Sequence, residues 1–118
     1  MTRVLVCGGR DFKDAKSLWA ALDALVDDWP DLIIIEGDAR GADRIASNWA
    51  KARRVANLKF PANWAAYGSA AGPMRNQQML DEGKPDIVVA FPGSSGTRDM
   101  VARARKAAIP VIQPLSTR

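Results

Sequence analysis

Residues 87–97 read Ile-Val-Val-Ala-Phe-Pro-Gly-Ser-Ser-Gly-Thr, an apolar run that stops at a proline and a glycine and passes into a hydroxyl-rich turn. An apolar run without alternation suits a strand buried on both faces, as in a parallel sheet covered by helices. The turn Pro92-Gly93-Ser94-Ser95-Gly96-Thr97 offers free amides and three hydroxyls where a helix should begin. Val101, Ala104 and Ala108 then mark one apolar face of that helix.

The same unit recurs upstream. Val4–Cys7 and Leu32–Ile35 are nearly continuous apolar runs, Asn57–Phe60 is a further strand, and Val111–Gln113 after Pro110 is the fifth. Between them Leu18, Trp19, Leu22, Leu25, Val26 and Trp29 form one helical face, and Ile45, Ala46, Trp49 and Ala50 another. Met74–Leu80 is a shorter helix; Pro30 stops the first helix, and Gly83 with Pro85 the third. The resulting β-α-β-α-β-α-β-α-β order predicts an α/β fold, a doubly wound parallel five-stranded sheet with right-handed crossovers and helices on both faces. Strand order 3-2-1-4-5 is expected, with a switch point between the first and fourth strands. No linker or repeat divides residues 1–118, so one domain is expected.

Composition narrows the chemistry. With no histidine and one cysteine, the chain lacks Ser-His and Cys-His nucleophile pairs, a spaced Cys/His zinc set and an internal disulfide. No metal site or resident cofactor is expected, and any acid–base work falls to Asp or Glu. Cys7 ends a buried strand and reads as a packed small hydrophobe. A formal net charge of +4 favours an anionic partner. The N-terminal apolar run is too short for a signal peptide, and no run approaches a membrane span. A cytoplasmic protein without membrane contact is expected.

The glycines follow the strands. Gly8 and Gly9 come after the first, Gly37 and Gly41 after the second, and Gly93 and Gly96 after the fourth, while Gly72 precedes the third helix. In a parallel sheet these turns gather at the carboxyl edge, where ligands bind. Glycine permits positive φ and close approach of amides, and helix N-termini add unpaired N–H groups and a positive dipole. Gly93, Ser94, Ser95, Gly96 and Thr97 with Pro92 are therefore the leading candidates for holding a phosphate; the plain alternative is a tight turn with Ser or Thr as N-cap. Arg10, beside Gly8 and Gly9 at the switch point, is a candidate anion contact, the alternative being a turn in which Arg10 and Asp11 serve a surface ion pair. Arg75 and Asn76 open the third helix after Gly72 and Pro73; a cation there opposes the dipole, which points to a ligand's negative charge. Asp38 and Asp43 would suit ribose hydroxyls, and Asp43 equally a helix cap. Trp64 and Tyr67, in the long third loop, would stack on a base or cover the core.

Taken together, GGRDF (8–12), GDARGAD (37–43), YGSAAGPMRNQQML (67–80) and AFPGSSGTRDM (90–100) resemble the YspA/YpsA-related branch of the SLOG superfamily. The resemblance runs along nearly the whole chain. It implies a Rossmann-like fold and binding or sensing of a nucleotide, nucleotide sugar or ADP-ribose derivative. It also implies frequent dimerisation and occurrence in phage or mobile elements. The superfamily includes the Lonely Guy phosphoribohydrolases, whose motif is PGGxGTxxE with an upstream arginine in an RK pair. Here Arg75 matches the arginine, and Pro92, Gly93, Gly96 and Thr97 match the phosphate turn. Ser94 replaces a glycine, Asn76 the lysine and Met100 the glutamate, and Asp99 would point about 100° away around a helix. An N-glycosidic hydrolase using Asp11, Glu36, Asp38 or Asp99 is therefore the alternative to a binding module. The related DprA/Smf proteins suggest single-stranded DNA as a third reading, but no basic–aromatic stripe supports it.

Overall fold

The structure, a computed structural model, describes residues 1–115. Five strands, β1 (Arg3–Cys7), β2 (Ile33–Glu36), β3 (Asn57–Lys59), β4 (Ile87–Ala90) and β5 (Val111–Ile112), form one parallel sheet in the order β3-β2-β1-β4-β5. This is the expected order, and every strand lies within one or two residues of its expected span. The register pairs Val4 with Ile34 on one side and with Ile87 on the other, so β1 lies at the centre.

The continuous apolar runs resolve into two cores because a strand sends alternate side chains to opposite faces. Val4 and Val6 join Leu18 and Leu22 of α1 (Ala15–Asp28) and Trp49 of α2 (Ala42–Arg53) on one face. Leu5 and Cys7 join Ile35, Met79, Met100 and Ala104 on the other, under α4 (Ala71–Gln78) and α5 (Ser95–Lys106). Each fully buried aliphatic side chain contributes about 1.5–3 kcal/mol.

Local chemistry sets the helix ends. Asp14 caps α1 by accepting from the Ser17 amide at 3.1 Å, and the Ser17 side chain, together with that amide, holds its carboxyl below the usual range. Arg54 ends α2 in the left-handed conformation. The expected third loop contains a short helix, α3 (Trp64–Tyr67), capped by Asn63 and joined to α4 by a 3-10 turn at Gly68–Ala70. Four residues are too few for a periodic pattern, so only the Asn63 cap could have marked it. Helix α4 starts at Ala71 and continues through a π-helical turn, Met79–Gly83, which ends at left-handed Lys84. No helix among the described residues is long and apolar enough to cross a membrane.

Candidate functional site

The carboxyl ends of β1, β2 and β4 bring the glycine turns to one edge. Gly9 is the hinge of the assembly. Its amide donates to the Pro92 carbonyl at 2.9 Å and its carbonyl accepts from the Ala42 amide at 3.1 Å, which ties the β1 turn to both neighbours. The Gly9 amide is therefore engaged within the protein and is not one of the free donors that its sequence position suggests. A Cβ on Gly41 would run into the Gly9 carbonyl, and Gly41 also carries φ +81°. Of the glycines singled out at this edge, Gly41 alone uses the left-handed region; Gly8, Gly9, Gly37, Gly72 and Gly93 are small for contact, and Gly96 is not. The non-glycine exception is Asp38, at φ 56°, in the turn after β2.

Helix α5 begins at the end of β4 with Ser94 as N-cap, and no side chain caps it. The main-chain N–H groups of Ser95, Gly96 and Thr97 make no hydrogen bond among the described residues. Gly93, Ser94, Ser95 and Gly96 are exposed, and a Cβ on Gly96 would meet only open space. The N-cap role that Ser94 was equally suited to play is not used. The first turn of α5 is thus an open set of donors at the positive end of a helix dipole, a geometry that accepts an anion. Gly93 lets this turn close on its neighbour: a Cβ there would collide with the Thr97 side chain and lie 2.7 Å from the Gly9 nitrogen.

Arg75 does not open the third helix as expected: α4 starts at Ala71, Arg75 falls in its second and last turn, and the dipole argument for it lapses. Its guanidinium packs over Gly37, where a Cβ would lie 2.8 Å from Cζ. Nη1 donates to the carbonyls of Gly37 (2.5 Å) and Phe60 (3.5 Å), and Nε to Asn76 Oδ1 (3.2 Å). Nη2 has no protein partner among the described residues, and it is not sealed from solvent. Burial lowers the Arg75 pKa, and the Asp43 carboxylate opposes that shift. The buried Asn76 donates through Nδ2 to the Gly96 carbonyl (3.2 Å) and to Asp99 Oδ2 (3.0 Å). It ties α4 to the first turn of α5, so its amide is engaged within the protein.

The carboxylates are engaged by the scaffold. Glu36, fully buried, accepts from the Asp38 amide and from Lys59 Nζ at 3.0 Å, and Lys59 also reaches Ser47 (2.7 Å) and Asp38 (3.5 Å). Lys59 was not singled out in the sequence; the parallel register that places it beside Glu36 is what makes it a partner. Burial lowers the Lys59 pKa, but Glu36 and Asp38 outweigh it and leave the ammonium above its ordinary value. Asp43 accepts from the amide of Ala39 (3.3 Å), bracing the β2 turn. Burial pushes its carboxyl up to about 6, with the amide of Ala39 opposing and the Glu36 carboxylate adding to the rise. Asp99 also accepts from Arg103 at 2.8 Å; burial raises it, but Asn76 and Arg103 hold it below its ordinary value. Asp11 is exposed and pairs with Arg40 at 3.4 Å, not with Arg10.

Arg10 instead lies over the Trp64 ring, 4.9 Å from its centroid, and that ring rests on Gly72, where a Cβ would come within 3.1 Å of it. Gly72 is therefore the seat of an aromatic side chain. Met100 is fully buried among Leu5, Met79 and Val88. Burial pushes the Cys7 thiol up to about 12, which suits packing rather than nucleophilic chemistry.

The sequence profile of the YspA, cpYpsA-related SLOG family matches residues 2–67, from β1 to the end of α3. The chain is 41% identical over 120 residues to the Gene 61 protein of Mycobacterium phage D29, covering 95% of each. Among solved structures, that of TM1055 superposes with a TM-score of 0.74 at 17% identity, over 94% of this chain and 72% of that one. MurG of Acinetobacter baumannii gives a TM-score of 0.58 at 12% identity, over 94% of this chain and 34% of MurG. A UDP-N-acetylglucosamine 2-epimerase gives 0.55 at 17% identity, over 94% of this chain and 30% of that one. These likenesses establish a shared Rossmann-like architecture, and the chain spans about a third of the last two proteins.

Proposed function

The chain belongs to the YspA, cpYpsA-related SLOG family, and from that premise we propose that it binds a phosphate-bearing, nucleotide-like ligand at the carboxyl edge of its sheet, as a binding or sensing module. The observation that carries this reading is the uncapped start of α5, where the amides of Ser95, Gly96 and Thr97 stand open beside exposed Gly93 and Ser94. A phosphate there would satisfy donors that the protein leaves unpaired and would face a helix dipole of the right sign. Arg75, through Nη2, and Arg10, by leaving Trp64, would supply positive charge; Asp38 would face ribose hydroxyls. The epimerase is named for a nucleotide sugar, which supports that class beside plain nucleotides and ADP-ribose derivatives. The accompanying reading is cytoplasmic, with a homodimer as the assembly that the family resemblance implies.

Hydrolysis is the weaker reading. The position of the Lonely Guy glutamate holds a core methionine, and Asp11, Glu36, Asp38 and Asp99 are each paired with a cation of the protein itself. The test is thermal unfolding with a panel of nucleoside monophosphates, nucleotide sugars and ADP-ribose. A ligand at a hundred times its Kd adds about 2.7 kcal/mol of stability, so at least one compound raises Tm by several degrees. A folded sample whose Tm is unmoved by the whole panel at millimolar concentration contradicts the reading.

A further inference from the structure

A groove of about 520 Å³ opens along the outer flank of α5, between that helix and the chain after β5. It starts at Pro92, Gly93 and Thr97, so it is continuous with the open amides, and it runs past Val101 and Ala102 to Arg105 and Gln113. Its volume lies within the range of about 300–1,000 Å³ usual for small-molecule sites. Arg98 and Arg105 line it, and neither side chain forms an ion pair or hydrogen bond among the described residues. Arg103 on the same helix, by contrast, is paired with Asp99 at 2.8 Å.

The placement of Arg98 is informative. It lies in the first turn of α5, where a cation opposes the helix dipole, and no carboxylate among the described residues answers it. Residues 98, 101, 102 and 105 recur at the spacing of a single helix face. At about 1.5 Å per residue, the step from Thr97 to Arg105 is roughly 12 Å. That is too long for one phosphate and suits a ligand with a second anionic group and a second head.

We propose that this groove is a second subsite that takes the distal half of a diphosphate-bridged ligand. The inference rests on the reading of Gly93–Thr97 as the anion cradle. The first phosphate takes the open amides and the second faces Arg98. The distal head lies along Val101 and Ala102, with its polar end at Arg105 and Gln113. A nucleoside monophosphate uses the cradle alone.

Calorimetric titration of the full chain with AMP and with ADP-ribose, at one salt concentration, separates the two claims. The wild type binds ADP-ribose at least about tenfold more tightly than AMP, a preference worth one decade of Kd. Arg105→Gln, and Ala102→Trp as a steric block, reduce that preference below about threefold while AMP affinity stays within about twofold. Equal binding of both probes by the wild type, or a preference that survives in both variants, overturns the second subsite and leaves the cradle standing. Binding of neither probe removes the cradle and the subsite with it. Arg105 is exposed and its side chain makes no ion pair or hydrogen bond among the described residues, so Arg105→Gln decides the matter even if Ala102→Trp unfolds.

Discussion

Ser94 stands at the N-cap of α5, yet its hydroxyl caps nothing, and the three amides after it are open. That local vacancy makes a substitution with opposite effects on stability and binding. In Ser95→Asp a carboxylate enters the first turn of α5, where it complements the dipole and adds about 0.3–1 kcal/mol of stability. The same charge occupies the place of a phosphate, so nucleotide affinity falls at least about tenfold. Urea unfolding and titration on the same sample check both signs. Unchanged affinity places the ligand elsewhere.

Asp43 gives a second test at this scale. Its folded pKa of about 6 lies above the ordinary value of 3.8 because burial penalises the charged form. The folded state therefore holds this proton more tightly than the unfolded state. Its contribution to stability is full below about pH 4 and is lost as pH rises through about 6. A shift of that size corresponds to something on the order of 3 kcal/mol. Relative to the wild type, Asp43→Asn gains about 2 kcal/mol of stability between pH 4.5 and pH 7.5, the part of that total that falls in this window. Denaturant titrations at the two pH values measure it, and a pH-independent difference contradicts the account.

Among the elements, the turns are held to each other by the protein's own hydrogen bonds. The Gly9 amide is spent on Pro92, and Asn76 ties α4 to the start of α5. Two glycines only three residues apart should therefore behave differently. Gly93→Ala drives a Cβ against Thr97 and the Gly9 nitrogen, which costs about 1–3 kcal/mol of overpacking and opens the junction of the two turns. Gly96→Ala meets nothing within 4 Å and is neutral or gains up to about 1 kcal/mol, since alanine is the better helix former. Thermal unfolding of the pair checks this, and equal losses would mean that the turns are not packed as described.

For the whole molecule, the sheet was legible because two-sided burial leaves a strong trace. Val4–Cys7, Leu32–Ile35 and Ile87–Phe91 admit little besides buried parallel strands, and the glycine turns then fall at one edge by topology. The turn proposed as the anion cradle was legible as a glycine-rich strand-to-helix turn, since its residues are contiguous. Contacts between residues far apart in sequence were not. The Glu36–Lys59 pair depends on β2–β3 register, and the Gly9–Pro92 hydrogen bond on the β1–β4 junction. Arg10 over Trp64, and Trp64 over Gly72, join three separate segments. No local pattern encodes such pairs. The groove beside α5 escaped for a related reason: it forms only where the chain after β5 is set opposite Arg98 and Arg105.

The most direct measurement of the central claim is an amide NMR titration of the isotope-labelled protein with a nucleoside monophosphate. The amides of Ser95, Gly96 and Thr97 are predicted to show the largest saturable shifts, moving together with the Arg75 side-chain signals. Saturable binding that leaves those three amides unmoved would contradict it.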